Sequence, residues 1–263
     1  MKQKFLWLLM GLFIGVFFMI AWTLCSGQLN ETEKTLQIAG DVAECTDVKS
    51  WSDWTEKESV LCQGESYKGV LLSKVLGKTA VLGDVEQIYM ISFDGFTSVI
   101  DGKDAAFCYL TYDGKMGWSI LAPKHPISTN AKDLKKIVLV SSGEKSKGLT
   151  LMKKDGSCLT FSLGQLLTGP MTTYPKFEGE ATIETDGKAY SSQVYTKSEG
   201  FPLRNLTEVE DTDYLLLETK TGETFFIENR GHFIIEGILI HYVDRKGEIY
   251  ENIKKVTIHP YVG

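Results

Sequence analysis

Arginine is scarce in this sequence of 263 residues, and none occurs before Arg204. A guanidinium is shaped to grip phosphate or sulfate with paired hydrogen bonds, and lysine replaces it poorly. Most of the chain therefore lacks the usual means of holding such groups. Binding to nucleic acid relies on clustered cations that neutralise phosphates. Here the net charge is −6, and Lys145-Ser146-Lys147 and Lys153-Lys154 are too sparse to form such a cluster. They read as solvated turn residues, and no nucleic-acid partner is expected.

Signatures of metal and hydrolase sites are missing as well. The five cysteines, Cys25, Cys45, Cys62, Cys108 and Cys158, have long irregular spacings, and no pair is separated by two residues. They form no recognisable disulfide framework, and nothing in their spacing selects partners. The histidines at 125, 232, 241 and 259 are scattered, so a zinc cluster is not expected. Neither Gly-x-Ser-x-Gly nor His-Glu-x-x-His occurs, which removes the common hydrolase motifs. No catalytic residue is assigned.

What the chain does have is a long apolar run near its start. Phe5 to Cys25 carries no charge, and at about 1.5 Å per residue it is long enough to cross a bilayer core of roughly 30 Å. A signal peptide has a shorter apolar region and a small-residue cleavage site, and Cys25-Ser26-Gly27 is a weak one. The preceding Leu24 also spoils any likeness to a lipoprotein box. The expectation is an uncleaved single-pass anchor at 5–25, with a cleaved signal as the alternative. Lys2 and Lys4 precede the run and Glu31 and Glu33 follow it, so residues 1–4 are expected in the cytoplasm. Residues 26–34 then form a linker, and the globular part lies on the extracytoplasmic side of the cell membrane.

The remaining chain, roughly 230 residues, allows one large domain or two ordinary ones. Strand patterns dominate it. Ile88–Phe93 and Phe96–Ile100 flank Asp94-Gly95, a hairpin signal. Tyr214–Thr219 and Thr224–Ile227 flank a second turn, and Ile234–Val243 reads as one strand before a turn at Lys246-Gly247. Helix candidates are short: Gly69–Leu76, Asp104–Tyr112 and Leu163–Leu167. Strands in runs without regularly alternating helices predict a β-rich α+β fold. The order of elements also repeats. Leu36–Val42 pairs with Leu149–Gly156, Tyr67–Leu72 with Glu199–Leu203, and Leu134–Val140 with Ile253–Ile258. This predicts a tandem repeat over 35–142 and 148–263, divided in the loop-like stretch Ser141–Gly148.

Leu36–Val42, the strand ending Ser59-Val60-Leu61-Cys62, Tyr67-Lys68-Gly69-Val70, Asp94-Gly95-Phe96, Leu110–Lys115 and Ile120–Pro123 follow one another in order. This series resembles the sulfite-oxidase-like molybdopterin-binding domain family. The resemblance implies that fold for the first repeat and a divergent copy for the second. It also implies an extracytoplasmic oxidoreductase using molybdopterin, whether active or not. Carried over, the cysteine that gives molybdenum its thiolate is Cys62, with Tyr67, Lys124 and His125 as candidate cofactor-pocket residues. A soft metal centre suits a thiolate.

The departures are as informative. The family's closing segment usually carries Pro-x-Arg, whereas here Trp118–Pro123 leads to Lys124 and His125. The long insertion after the cysteine is absent, and the matching strand of the second half, Ala181–Asp186, has no cysteine. Exported enzymes of the family generally carry a twin-arginine signal, and Met1–Lys4 has no arginine. The alternative is a cofactor-free protein on the same fold that binds a ligand or protein at the cell surface. A redox partner and a surface protein partner are both left open.

Overall fold

The computed structural model describes residues 34–143, 147–185 and 188–261. The apolar run at 5–25 and the linker up to residue 33 lie outside the described residues. Among those described, no helix is long and apolar enough to cross a membrane.

Among the described residues, nineteen strands and two short α-helices make a β-rich architecture of four sheets. In the first half, β1 (Leu36–Gly40), β2 (Thr46–Val48), β5 (Asp84–Ser92), β6 (Thr97–Asp101) and β9 (Leu134–Ser142) form a sheet of order β2-β1-β9-β5-β6. Its β1–β9 pair is parallel and the others are antiparallel. A second sheet joins β3 (Glu58–Cys62), β4 (Glu65–Leu71), β7 (Tyr109–Asp113) and β8 (Gly117–Leu121) in antiparallel order. Helix α1 (Leu72–Leu76) follows β4.

The remaining strands repeat this plan. β10 (Lys147–Met152), β11 (Cys158–Ser162), β14 (Tyr214–Thr219), β15 (Thr224–Glu228) and β19 (Ile253–His259) make a sheet of order β11-β10-β19-β14-β15. Again a single pair, β10–β19, is parallel. The accompanying sheet runs β12 (Thr172–Thr185), β13 (Lys188–Phe201), β16 (His232–Glu236), β17 (Leu239–Val243) and β18 (Ile249–Tyr250). Helix α2 (Leu163–Thr168) carries a capping box in which Ser162 and Gln165 exchange hydrogen bonds with each other's backbone amides, satisfying two otherwise orphan donors.

Burial follows the period of two that strands impose. Along β14, Leu215, Leu217 and Thr219 point inward. β9 breaks the alternation and is buried almost continuously because both its faces are covered. Ile137 and Leu139 face the first half's own core, around Trp118, Ile38 and Met90. Val138, with Ala39 of β1, faces the second half's core, around Leu151, Leu217 and Val256. The halves thus share a packed seam. Asp41, 1% exposed, closes it. Its carboxylate accepts from the Ser141 amide at 2.7 Å and from the Gly164 amide of α2 at 2.9 Å. A Cβ on Gly164 would lie 2.1 Å from the Leu139 carbonyl oxygen, so only glycine permits this approach.

Three element boundaries differ from the sequence reading. Gly69–Leu71 finishes β4, so the helix after it starts at Leu72. The candidate helix Asp104–Tyr112 is a 3₁₀ turn over Gly102–Phe107 followed by strand, because Tyr109–Asp113 pairs with neighbours on both sides. Ile234–Val243 is two strands, broken where Gly237 takes a φ of 61°. That conformation suits glycine.

Candidate functional site

Alternation along β3 decides where Cys62 points. Val60 and Cys62 face inward, while Leu61 is 70% exposed. The strand ends in a two-residue turn, Gln63-Gly64, with φ of 56° and 84°. Two successive left-handed residues match the hairpin twist and bring Cys62 opposite Glu65. The thiol is 6% exposed. The Asn130 side-chain amide donates to its Sγ at 3.8 Å, and Asn130 Oδ1 accepts from the Ala122 backbone amide at 2.8 Å. Asn130 therefore ties the thiol to the loop after β8.

That loop carries Lys124 and His125, but their polar ends engage other groups. Lys124 Nζ lies 3.5 Å from the Phe107 ring centroid. His125 Nε2 is 3.5 Å from Asp104 Oδ2. Tyr67 donates to Glu65 Oε2 at 2.5 Å, and that bond, with a smaller effect of burial, raises the phenol's pKa. The structure thus brings Cys62 and the 122–130 loop together through Asn130. It directs Lys124 and His125 to the 3₁₀ turn and Tyr67 to a carboxylate.

Molybdopterin is a phosphate-bearing ligand, and cationic donors are the groups that hold a phosphate best. Around Cys62 the partners are a neutral amide and a tyrosine bonded to a carboxylate. Neither of these is a cation. Among the described residues, no cluster of three or more His, Cys, Asp or Glu side chains could hold a metal ion.

The other described thiols, at 45, 108 and 158, are free like Cys62. Cys108 is fully buried, and burial, helped by Asp104, pushes its pKa to about 11. It is held mostly as an inert thiol. Burial also raises Cys45, against the opposing pull of Lys136.

A second site escaped the sequence reading. Arg204, Arg230 and Arg245, the only arginines in the chain, line one cavity of 570 Å³ in the second half. The signal available was their late and isolated occurrence. Spacing along the chain does not reveal that three separate turns converge.

No protein-family profile matches the chain, and no curated protein matches it. Among solved structures, the sulfane dehydrogenase SoxCD from Paracoccus pantotrophus is similar over 84% of this chain and 70% of its own, with a TM-score of 0.37 and 10% identity. A likeness of that size says nothing about activity.

Proposed function

We propose that this chain is a membrane-anchored extracytoplasmic binding protein, built from two divergent copies of a sulfite-oxidase-like domain over 35–142 and 148–263, and working without molybdopterin. The environment of Cys62 carries this reading. Its thiol is sealed by Asn130 and flanked by Tyr67 and Glu65 rather than by cations. The shared strand order of the two halves supports the duplication. The uncharged run Phe5–Cys25 behind Lys2 and Lys4 supports the anchor and its orientation.

The second reading is a redox enzyme with Cys62 as metal ligand and Tyr67, Lys124 and His125 around the cofactor. One observation favours it: Asn130 joins Cys62 to the loop that bears Lys124 and His125. Metal analysis of the full-length protein, purified from its own host, separates the two. The binding reading expects molybdenum far below one atom per chain and a Cys62→Ser variant with an unchanged unfolding midpoint. Near-stoichiometric molybdenum, lost in that variant, would establish the redox reading instead. Protease digestion of intact cells tests orientation: the globular part is cleaved from outside, and protection until lysis would reverse the proposed topology.

A further inference from the structure

The chain uses lysine for nearly all its positive charge: of 28 cationic residues, arginine occurs only at 204, 230 and 245. All of these meet at one cavity, and each comes from a different turn. Arg204 sits in the 3₁₀ turn Leu203–Asn205, anchored by buried Leu203 and by the Asn205 side-chain amide, whose Nδ2 donates to the Pro170 carbonyl at 3.0 Å. Arg230 lies between β15 and β16, where Gly231 permits close packing: a Cβ there would meet the Val243 oxygen at 2.1 Å. Arg245 belongs to the turn after β17, ordered by Asp244 Oδ1 accepting from the amides of Lys246 and Glu248 at 2.8 and 2.9 Å.

The charge there is only partly compensated. Glu228 lies 3.3 Å from Arg230 Nε. Neither Arg204 nor Arg245 makes an ion pair with a described residue. Among the described residues, Asp211 is the one carboxylate lining the cavity. His232 is half-buried, which lowers its pKa and keeps it neutral near pH 7. Its ring stacks on Tyr174 at 3.6 Å and 11°, forming a flat wall. The volume lies within the range of roughly 300–1,000 Å³ typical of small-molecule sites.

We propose that this cavity binds a small ligand bearing a tetrahedral oxyanion, a phosphate or sulfate group, gripped by Arg204, Arg230 and Arg245. Guanidinium forks offered by separate turns suit a group with several equivalent oxygens, and they do so better than ammonium ions would. The His232–Tyr174 wall provides a face for the rest of the ligand. This names the ligand class within the binding reading and rests on that reading.

The test is a titration of the full-length protein in detergent with inorganic phosphate and, separately, inorganic sulfate, at ionic strength held constant with chloride. Saturable thermal stabilisation by at least one of the two is expected. Arg204→Gln and Arg245→Gln should each weaken it at least tenfold, with the unliganded unfolding midpoint unchanged because neither side chain has an ionic partner among the described residues to lose. If one variant lowers that midpoint, the other decides. A phosphate monoester and a sulfated sugar then distinguish the two sources of the group. No effect beyond chloride, or an effect undiminished in both variants, overturns the site. Stoichiometric molybdenum in the same preparation would overturn the binding reading without altering the titration, so the two failures are told apart.

Discussion

The hairpin that opens the smaller sheet has strands of five and seven residues in the first half, and of fourteen and fourteen in the second. The short one ends in a tight turn that tucks Cys62 against the body. The long one pairs with β16 only through Gly200 and Phe201, so most of it runs beyond its sheet as a two-stranded ribbon. The loops that follow equivalent strands differ as sharply. Between β6 and β7, and after β8, the first half places Asp104, Phe107, Lys124 and His125, which satisfy one another. Between β15 and β16, and after β17, the second half places Arg230 and Arg245, which face a cavity. A common strand order therefore supports one half with its charges closed on themselves and one with charges held open. Strand pairing sets the frame, and loop residues set the chemistry.

The strongest way to break this comparison is to attack one core and watch the other. Trp118 on β8 is fully buried, with Tyr112 at 4.9 Å and Trp51 at 6.1 Å between ring centroids. Trp118→Ala should cost about 3–5 kcal/mol. Because β9 packs into both cores, denaturant unfolding should stay a single transition seen equally by probes in each half. Two separated transitions would mean that the seam does not couple them.

The seam itself is the next target. Asp41→Ala strands the buried amides of Ser141 and Gly164, and at about 1–3 kcal/mol for each unsatisfied group a loss of about 3 kcal/mol is expected. Equilibrium unfolding measures it. An effect below about 1 kcal/mol would show that water replaces the carboxylate.

Asp213 offers a smaller, pH-dependent test confined to the second half. Burial raises its pKa, but Lys154 Nζ at 2.6 Å and the Glu210 amide at 2.8 Å outweigh that, and the net shift is downward. A carboxylate whose pKa is lower in the folded state adds stability above its unfolded pKa of about 3.9 and loses it as pH falls through the folded value. Asp213→Asn should cost about 1.5–3 kcal/mol at pH 7 and should flatten the fall in melting temperature between pH 5 and pH 2. An unchanged acid slope would assign the loss to other carboxylates.

The smallest effects concern the thiols. At pH 8 a thiol reagent should modify exposed Cys158 first and half-buried Cys45 more slowly, sparing Cys62 and Cys108 until unfolding. Mass spectrometry reads this directly. Labelling of Cys62 as fast as Cys158 would contradict the sealed thiol. Cys62→Ser should change stability by less than about 1 kcal/mol, since the replacement keeps a small group able to accept from Asn130.

Much of the frame was legible from local pattern. The Asp94-Gly95 hairpin forms as expected, with β5 paired to β6 across it. So does the hairpin of β14 and β15, and the opening and closing strands of the halves occupy matching places in their sheets. Alternation and turn chemistry act over a few residues, which is why they can be read in order. The ribbon of β12 and β13 was read only at Ala181–Asp186, because its sequence is rich in polar residues and glycine and offers few apolar positions for a period of two to mark.

The site was legible only in part. A resemblance drew attention to Cys62, Tyr67, Lys124 and His125, but the pairings of those residues with Asn130, Glu65, Phe107 and Asp104 reach across turns and strands. Asn130 is 68 residues from the thiol it touches, and nothing local marks it.

The sequence by itself determined the β-rich class, the repeated order of strands and the scarcity of arginine, because composition and short-range periodicity are properties of the chain before it folds. Only the tertiary structure decided which charges are spent on one another and which remain available. It turned Lys124 and His125 toward Phe107 and Asp104 and gathered the late arginines around one cavity. Electrostatic partnership depends on distance through space, and distance through space is what folding creates.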